Sequence, residues 1–499
     1  MKKRIAIICP TLSGGGAERI AGLLSIRLAD LYEVYVVVLC EDKVTYDYGG
    51  RLVLFSDVAD YRNMSKPEIL RVIKIKYRID ISISFLDLMN YYNLIAREQD
   101  KIIISERNTL SHSDGISYVE KHRAKQYYPA ADHIVACSAG VGQELVKDYA
   151  VPSELVSTIY NYVDIEDIRK KANMPLEDEI IDYLGGSDYF INVGRLYSQK
   201  NQETLIKQFY VYHESKPEVK LLIVGSGEKY EDLSRQIQEL GLRQFVRILP
   251  YRNNPFNLVK GAKAFILTSR YEGLPNVLIE AMALGVPIIS TDCFSGPREL
   301  LNDEVDYSKY LGDFVVGKRG ILLGNPKEDF TDVRLVDAMN WIDDNPDKVQ
   351  AIVHEQRKYM ENYSIDSITN KWIDVIENTP INKEAKTVRE IEVDLMQATT
   401  KRFVYGAGEI AHKIYKYFDD LYGIDGFIVT KLGDEKEIDG IPILEYDKSM
   451  IDDPDVTVIV GVGIQYLKEV TELLEESKCK IFYPNTEFID NSAYKNCCK

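Results

Sequence analysis

The sequence has little of what would make it secreted, metal-clustered or membrane-spanning. Its 499 residues hold seven cysteines, at 9, 40, 137, 293, 479, 497 and 498, with no CxxC pair and no even framework. Such spacing gives no support to structural zinc or a disulfide scaffold and favours a reducing compartment. No apolar run approaches the roughly 20 residues of a spanning helix, the longest near the start being VYVVVLC at 34–40. The opening MKKRIAIICP has a basic head but only about five apolar residues before Pro10, short of a signal-peptide core. Ile5 to Cys9 is therefore predicted to be a first strand, and the chain cytoplasmic. Positive charge is in deficit: 61 Lys and Arg against 78 Asp and Glu leave a net −17, which argues against a nucleic-acid partner. No short-period repeat is present, so a solenoid is excluded.

What is there is ordinary globular composition, 45% hydrophobic and 28% charged, in a length that predicts about three domains. Short β-branched runs alternate with helical periodicity nearly from end to end, the pattern of parallel sheets covered by helices on both faces. The fold class is α/β, doubly wound. Strands are predicted at 5–9, 34–39, 52–55, 81–85, 101–105 and 133–137, making a first domain over 1–165. A polar, irregular stretch at 170–188 reads as the connection. A second domain over 188–378 has strands near 189, 219–225, 245–250, 264–268 and 286–291, and closes with helical segments from about 330. Residues 379–400 read as a linker, and a third series over 401–490 carries strands near 401, 425 and 456.

The densest chemical signal is TSRYEGLPNVLIEAMALGVPIISTDCFSGPREL at 268–300. A strand ends near Thr268, a loop carries Glu272, Gly273, Leu274, Pro275 and Asn276, and a helix runs from Asn276 to about Leu284. Free N–H groups and the dipole at such a helix start suit a phosphate. Glu272 before the helix and Glu280 one turn inside it would repel that phosphate unless they bind hydroxyls, which points to a sugar nucleotide; alone, the two acids could equally be helix-start charges. NVGRLYSQKNQETL at 192–205 sets Arg195 and Lys200 after another strand. That cationic pair suits a diphosphate leaving group whose charge grows as the glycosidic bond breaks. The loop SGGGAERI at 13–20 follows the first strand; Gly15 and Gly16 permit close backbone approach, and Glu18 and Arg19 follow in the first turn. It is neither a P-loop nor GxGxxG.

Together these motifs resemble the retaining glycosyltransferases of family 4, of two-domain GT-B fold, over about residues 1–378. EGLPNVLIE is the specific part, and GRLYSQKN, LLIVGSGEKYEDL, ILPYRNN and EAMALGVPIISTDCFSGPREL sit in the family's order. The resemblance implies a nucleotide-sugar donor, a UDP-sugar, bound mainly by the second domain and an acceptor, a glycan or lipid-linked, bound mainly by the first. Glu280 would hydrogen-bond the ribose, Glu272 with Gly273 to Asn276 would hold the sugar and diphosphate, and Arg195 and Lys200 would stabilise the leaving group. Gly15 and Gly16 would form the donor-facing loop. Tyr251 falls where the family places the nucleobase, or else packs. Retention is explained by front-side attack, with no protein nucleophile; no convincing Asp-x-Asp lies between a strand and a loop, so no divalent metal is expected, and no cofactor is required.

On the acceptor side, Glu106, Arg107 and Asn108 follow the apolar run KIIIS at a strand's C-terminal edge, where such sheets bind ligands. SERN resembles the acceptor loop of members acting on lipid-linked oligosaccharides, and His112 beyond it either lines the site or sits in an exposed loop. SKPEILRVIKIKYRI at 65–79 opens with a capping box, Ser65 and Glu68. Its Arg71, Lys74 and Arg78 share one face, either solvated or resting on anionic lipid, so that the protein would be peripheral at the membrane's inner face. In the third series, Gly406, Gly408 and Ala411 match GxGxxA, a dinucleotide-binding turn, without an acid at the following strand's tip. This part resembles small Rossmann-like nucleotide-sugar or cofactor-binding modules, and NAD or a nucleotide there remains open. Expected is the transfer of a hexose or N-acetylhexosamine in bacterial-type surface polysaccharide or glycoconjugate biosynthesis. The alternatives are a bifunctional enzyme with NAD-dependent sugar chemistry, and a non-catalytic sugar-nucleotide sensor or scaffold.

Overall fold

The structure is a computed structural model that describes residues 2–40, 44–110, 118–293, 295–303, 311, 314–324, 334–382, 385–475 and 477–484. Its strands are β1 (Arg4–Cys9), β2 (Glu33–Val38), β3 (Arg51–Leu54), β4 (Ile81–Phe85), β5 (Lys101–Glu106), β6 (His133–Ala136) and β7 (Val156–Thr158). They are followed by β8 (Tyr189–Val193), β9 (Lys220–Val224), β10 (Val246–Leu249), β11 (Ala264–Leu267), β12 (Ile288–Thr291), β13 (Val315–Val316) and β14 (Ile321–Leu323). The last are β15 (Lys401–Tyr405), β16 (Gly426–Val429), β17 (Glu437–Ile438), β18 (Ile441–Glu445), β19 (Val456–Val460) and β20 (Lys480–Phe482). They form three sheets, ordered β3-β2-β1-β4-β5-β6-β7, β10-β9-β8-β11-β12-β14-β13 and β17-β18-β16-β15-β19-β20. All pairings are parallel except the edge hairpins β13–β14 and β17–β18. The α/β expectation holds, and every predicted strand is present.

Continuous apolar runs explain this. Ile5, Ala6, Ile7, Ile8 and Cys9 of β1 are all fully buried, as a strand covered on both faces requires. In each sheet the chain leaves a central strand to one side and later returns to the other, so the order reverses at β1/β4, β8/β11 and β15/β19. Crevices beyond the C-terminal ends of strands at such reversals are where these sheets take ligands.

Three expectations are corrected. The helix Ile365–Asn378 does not close the second unit: Ile368, Trp372 and Ile376 pack into the first unit's core with Ile5, Ile7 and Phe85. The stretch 379–400 is not a plain linker. It holds the helix Val388–Gln397, opened by a Thr387/Glu390 capping box, with Val388 in the first unit's core and Met396 in the third's. The supposed irregular connection at 170–188 includes the helix Asp178–Leu184, whose Ile180 and Leu184 join the second unit's core.

The helix Lys66–Tyr77 forms with its Ser65/Glu68 box. Its three cations do not share an exposed face, however. Lys74 is buried, pairs with Asp100 at 2.9 Å and donates to the Asn93 carbonyl; burial lowers its pKa against the pull of Asp100. Among the described residues, no helix is long and apolar enough to cross a membrane.

Candidate active site

The candidate site lies beyond the C-terminal ends of β8 and β11, facing the first unit. After β11, Thr268 Oγ1 donates to the carbonyls of Lys200 and Asn201 at 3.0 and 3.1 Å, fastening the loop after β8 to the loop after β11. This brings Lys200 Nζ onto Glu272 Oε1, to which Ser269 Oγ also donates at 2.6 Å. Ser295 Oγ donates to the Glu272 carbonyl and Gly296 N to the Gly273 carbonyl, so the segment after β12 holds the loop from behind. The helix Asn276–Leu284 then starts after Pro275, with no side-chain cap and with the Leu278 N–H donating to the Pro275 carbonyl at 3.1 Å. Gly273 is needed for close approach: a Cβ there would stand 2.2 Å from the Arg107 carbonyl of the first unit.

Glu280, one turn into that helix, is buried and accepts from Arg19 Nη1 at 2.5 Å. Burial raises its carboxyl above the ordinary range while Arg19 pulls it down. Gly15 caps the helix Gly16–Leu28. Gly16 touches Asn276, whose Nδ2 points at the Gly16 carbonyl at 3.4 Å, and the Glu18 carboxylate lies over Gly15. Burial raises the Glu18 carboxyl; Arg195 across the cleft lowers it. Arg195 itself is exposed, its guanidinium 5.3 Å over the Tyr197 ring. Tyr251 is 61% exposed, which sets aside its packing alternative, and stands near enough to act on Arg19 and Tyr46.

On the first unit's side the outcome is mixed. Glu106 turns inward rather than into the cleft. It is buried and accepts from Tyr128 Oη at 2.6 Å and from the N–H groups of Arg107 and Asn108 at 2.9 and 3.3 Å. Burial, then Asp87, pushes its carboxyl up to about 8. Arg107 is buried too, donating to Asn161 Oδ1 and Ser105 Oγ. Asn108 is half-buried at the seam with Gly273. His112 lies outside the described residues.

Sequence reasoning missed two residues that bind the units together. Asn161, after β7, is buried and donates from Nδ2 to Asn276 Oδ1 at 2.6 Å and to the Leu274 carbonyl at 3.3 Å. Glu299 accepts from the N–H groups of Ala139 and Gly140, both at 2.8 Å, and from Tyr160 Oη at 2.9 Å. No motif announces Asn161; Glu299 stands in the stretch 268–300, but nothing local shows its partners Ala139, Gly140 and Tyr160. In the third unit the expected turn forms after β15; Gly406 has φ +112° and packs against Gly461, while a Cβ on Gly408 would meet open space.

Two family descriptions match the chain: Glycosyltransferase Family 4 over residues 14–167 and Glycosyl transferases group 1 over 176–315. The N-acetylgalactosamine-N,N'-diacetylbacillosaminyl-diphospho-undecaprenol 4-alpha-N-acetylgalactosaminyltransferase of Campylobacter jejuni is 31% identical over 323 residues, 60% of this chain and 84% of that enzyme. The chain belongs to the family 4 glycosyltransferases. The lipopolysaccharide 1,6-galactosyltransferase of Salmonella typhimurium is 30% identical over 205 residues, and this glycosyltransferase covers about half, 54%, of that protein. The fold is GT-B: HepE of Anabaena, solved with UDP and glucose, superposes with a TM-score of 0.60 over 75% of this chain and 100% of that one, at 17% identity. Neither family match extends past residue 315, so the third sheet of this glycosyltransferase is an addition to what they describe.

Proposed function

We propose that this glycosyltransferase moves a hexose or N-acetylhexosamine from a UDP-sugar to a glycan or lipid-linked acceptor in bacterial surface glycan synthesis, with retention and without a metal. The observation that carries the reading is the Lys200–Glu272 pair seated before the Asn276 helix start, with Glu280 one turn behind. Donor identity is supported by HepE, whose structure holds UDP and glucose, and acceptor class by the Campylobacter enzyme, named for a diphospho-undecaprenol substrate.

In this reading the bond from the anomeric carbon to the β-phosphate oxygen breaks as the acceptor hydroxyl bonds to that carbon on the same face. The acceptor's proton passes to the departing phosphate oxygen. Arg195 and Lys200, with the N–H groups of the helix start, meet the charge that grows on UDP. Glu272 positions Lys200 and faces the sugar, Glu280 takes the ribose hydroxyls and Tyr251 the base. Asn108, held by the inward-turned Glu106, faces the acceptor. The enzyme would rest peripherally on anionic membrane at its cytoplasmic face through Arg71 and Arg78, beside the exposed Val72 and Ile75. The third unit would serve an accessory role, since Thr430 and not an acid stands at the tip of β16. A panel of nucleotide sugars, scored by thermal shift and slow donor hydrolysis, tests the reading. Hydrolysis of a UDP-sugar that is lost in Lys200→Ala is expected; no response to any nucleotide sugar would overturn it.

A further inference from the structure

Two neighbouring residues of the first unit face two opposite charges of the second. Glu18 lies near Arg195, and Arg19 is bonded to Glu280. Among the described residues Arg19 is the one hydrogen-bond partner of the Glu280 carboxylate, and it engages one oxygen, Oε1. A carboxylate this deeply buried needs a counter-charge, and the described residues of the second unit supply none to it. The guanidinium is held by Glu280, and the backbone of Arg19 is held by its own helix. The Arg19 N–H donates to the Gly15 carbonyl at the start of the helix, and its other charged or titratable neighbours are Tyr46 of the first unit and Tyr251 of the second.

We propose that Arg19 is a positioning residue for the donor, supplying from across the cleft the counter-charge that presents the Glu280 carboxylate to the ribose hydroxyls. The inference rests on the reading of Glu280 as the ribose acceptor. One carboxylate oxygen is taken by Arg19 and the other is left for a hydroxyl, so both units contribute to one hydrogen-bonding group. The first turn after the glycine-rich loop therefore does more than allow close approach. It completes, from the acceptor-side unit, a binding group that the donor-side unit leaves half made.

The test is calorimetric titration of the full chain with UDP between pH 5.5 and 8.5, for wild type, Arg19→Met, Arg19→Lys and Glu280→Gln. Without Arg19, Glu280 gains a proton at higher pH and loses an acceptor for ribose. Arg19→Met is expected to bind UDP roughly 10-fold to 100-fold more weakly at pH 7, with the acid-side loss of affinity moved up by about one pH unit or more. Arg19→Lys should restore most of the affinity, and Glu280→Gln should bind weakly with little pH dependence. Acid-side loss common to all four proteins belongs to the terminal phosphate of UDP, whose last proton titrates at about pH 6, or to Glu18, the other raised carboxyl nearby. Wild-type affinity and pH profile in Arg19→Met, with binding lost in Glu280→Gln, would overturn the role of Arg19 alone. Wild-type UDP binding in Glu280→Gln would overturn the ribose reading and the inference with it.

Discussion

Lys200 and Glu272 form an ion pair largely out of water, their side chains 15% and 9% exposed, with Ser269 as the carboxylate's other support. Removing the cation leaves a buried charge on one hydroxyl. Lys200→Met is expected to fold with about 3 kcal/mol less stability and to lose transfer by roughly 100-fold or more. Lys200→Met with Glu272→Gln should recover the stability and none of the activity. Denaturant titration beside initial rates checks both, and wild-type turnover in Lys200→Met would remove it from the site.

Asn161 ties Arg107 of the first unit to Asn276 and Leu274 of the second. Asn161→Leu keeps the volume and removes all three links, leaving buried groups unpaired at a cost of about 1 to 3 kcal/mol. The expected outcome is a more open cleft in small-angle scattering and a lower kcat/KM at unchanged secondary structure. An unchanged scattering profile would show that the other contacts suffice.

The third unit's seam should respond to pH. Glu392 is pushed up to about 7 by burial, against the lowering effects of Tyr127, which donates at 3.4 Å, Arg123 and Arg389. An acid raised in the folded state holds its proton there after the unfolded chain has released it. Stability is therefore fully present below about pH 4.5 and is lost as pH rises to about 7, by up to about 1.4 kcal/mol per pH unit. Hydrogen exchange in the helix Val388–Gln397 should be faster at pH 8 than at pH 5.5 after correction for intrinsic rates, and Glu392→Gln should flatten that difference.

Contact with lipid would run through Ile75, 58% exposed, and Val72, 37% exposed, next to Arg71, Lys76 and Arg78. Ile75→Glu with Lys76→Glu is expected to reduce co-flotation with anionic vesicles several-fold while leaving UDP binding intact. Equal flotation of variant and wild type would exclude this face.

The long strands were legible because buried parallel strands are written as unbroken apolar runs. Edge strands of two or three residues, such as Val315–Val316 and Glu437–Ile438, carry no such run. Periodicity shows that Ile365–Asn378 has an apolar face but not which sheet it covers. It likewise set Lys74 beside Arg71, since spacing is blind to an Asp100 brought in by another element. The donor loop was readable because its residues act within one local segment. Asn161, Arg19 and Glu299 were not, because their chemistry exists only where one unit meets another. Glu106 misled for a related reason: a carboxylate at a strand's end can point either way, and the hydroxyl of Tyr128 decides it.

The chain crosses between the first and second units at Asp164 and again at Ser364, and each residue caps the helix that follows it. The third unit is fastened to the first through the helix Val388–Gln397 and through Tyr483, whose ring lies tilted against that of His122 with centroids 4.7 Å apart. The second unit is thus joined along the chain to the other two at two capped helix starts, while the first and third share a packed seam. A turn of the second unit about those two starts would open the cleft from one side and leave the seam between the first and third units undisturbed.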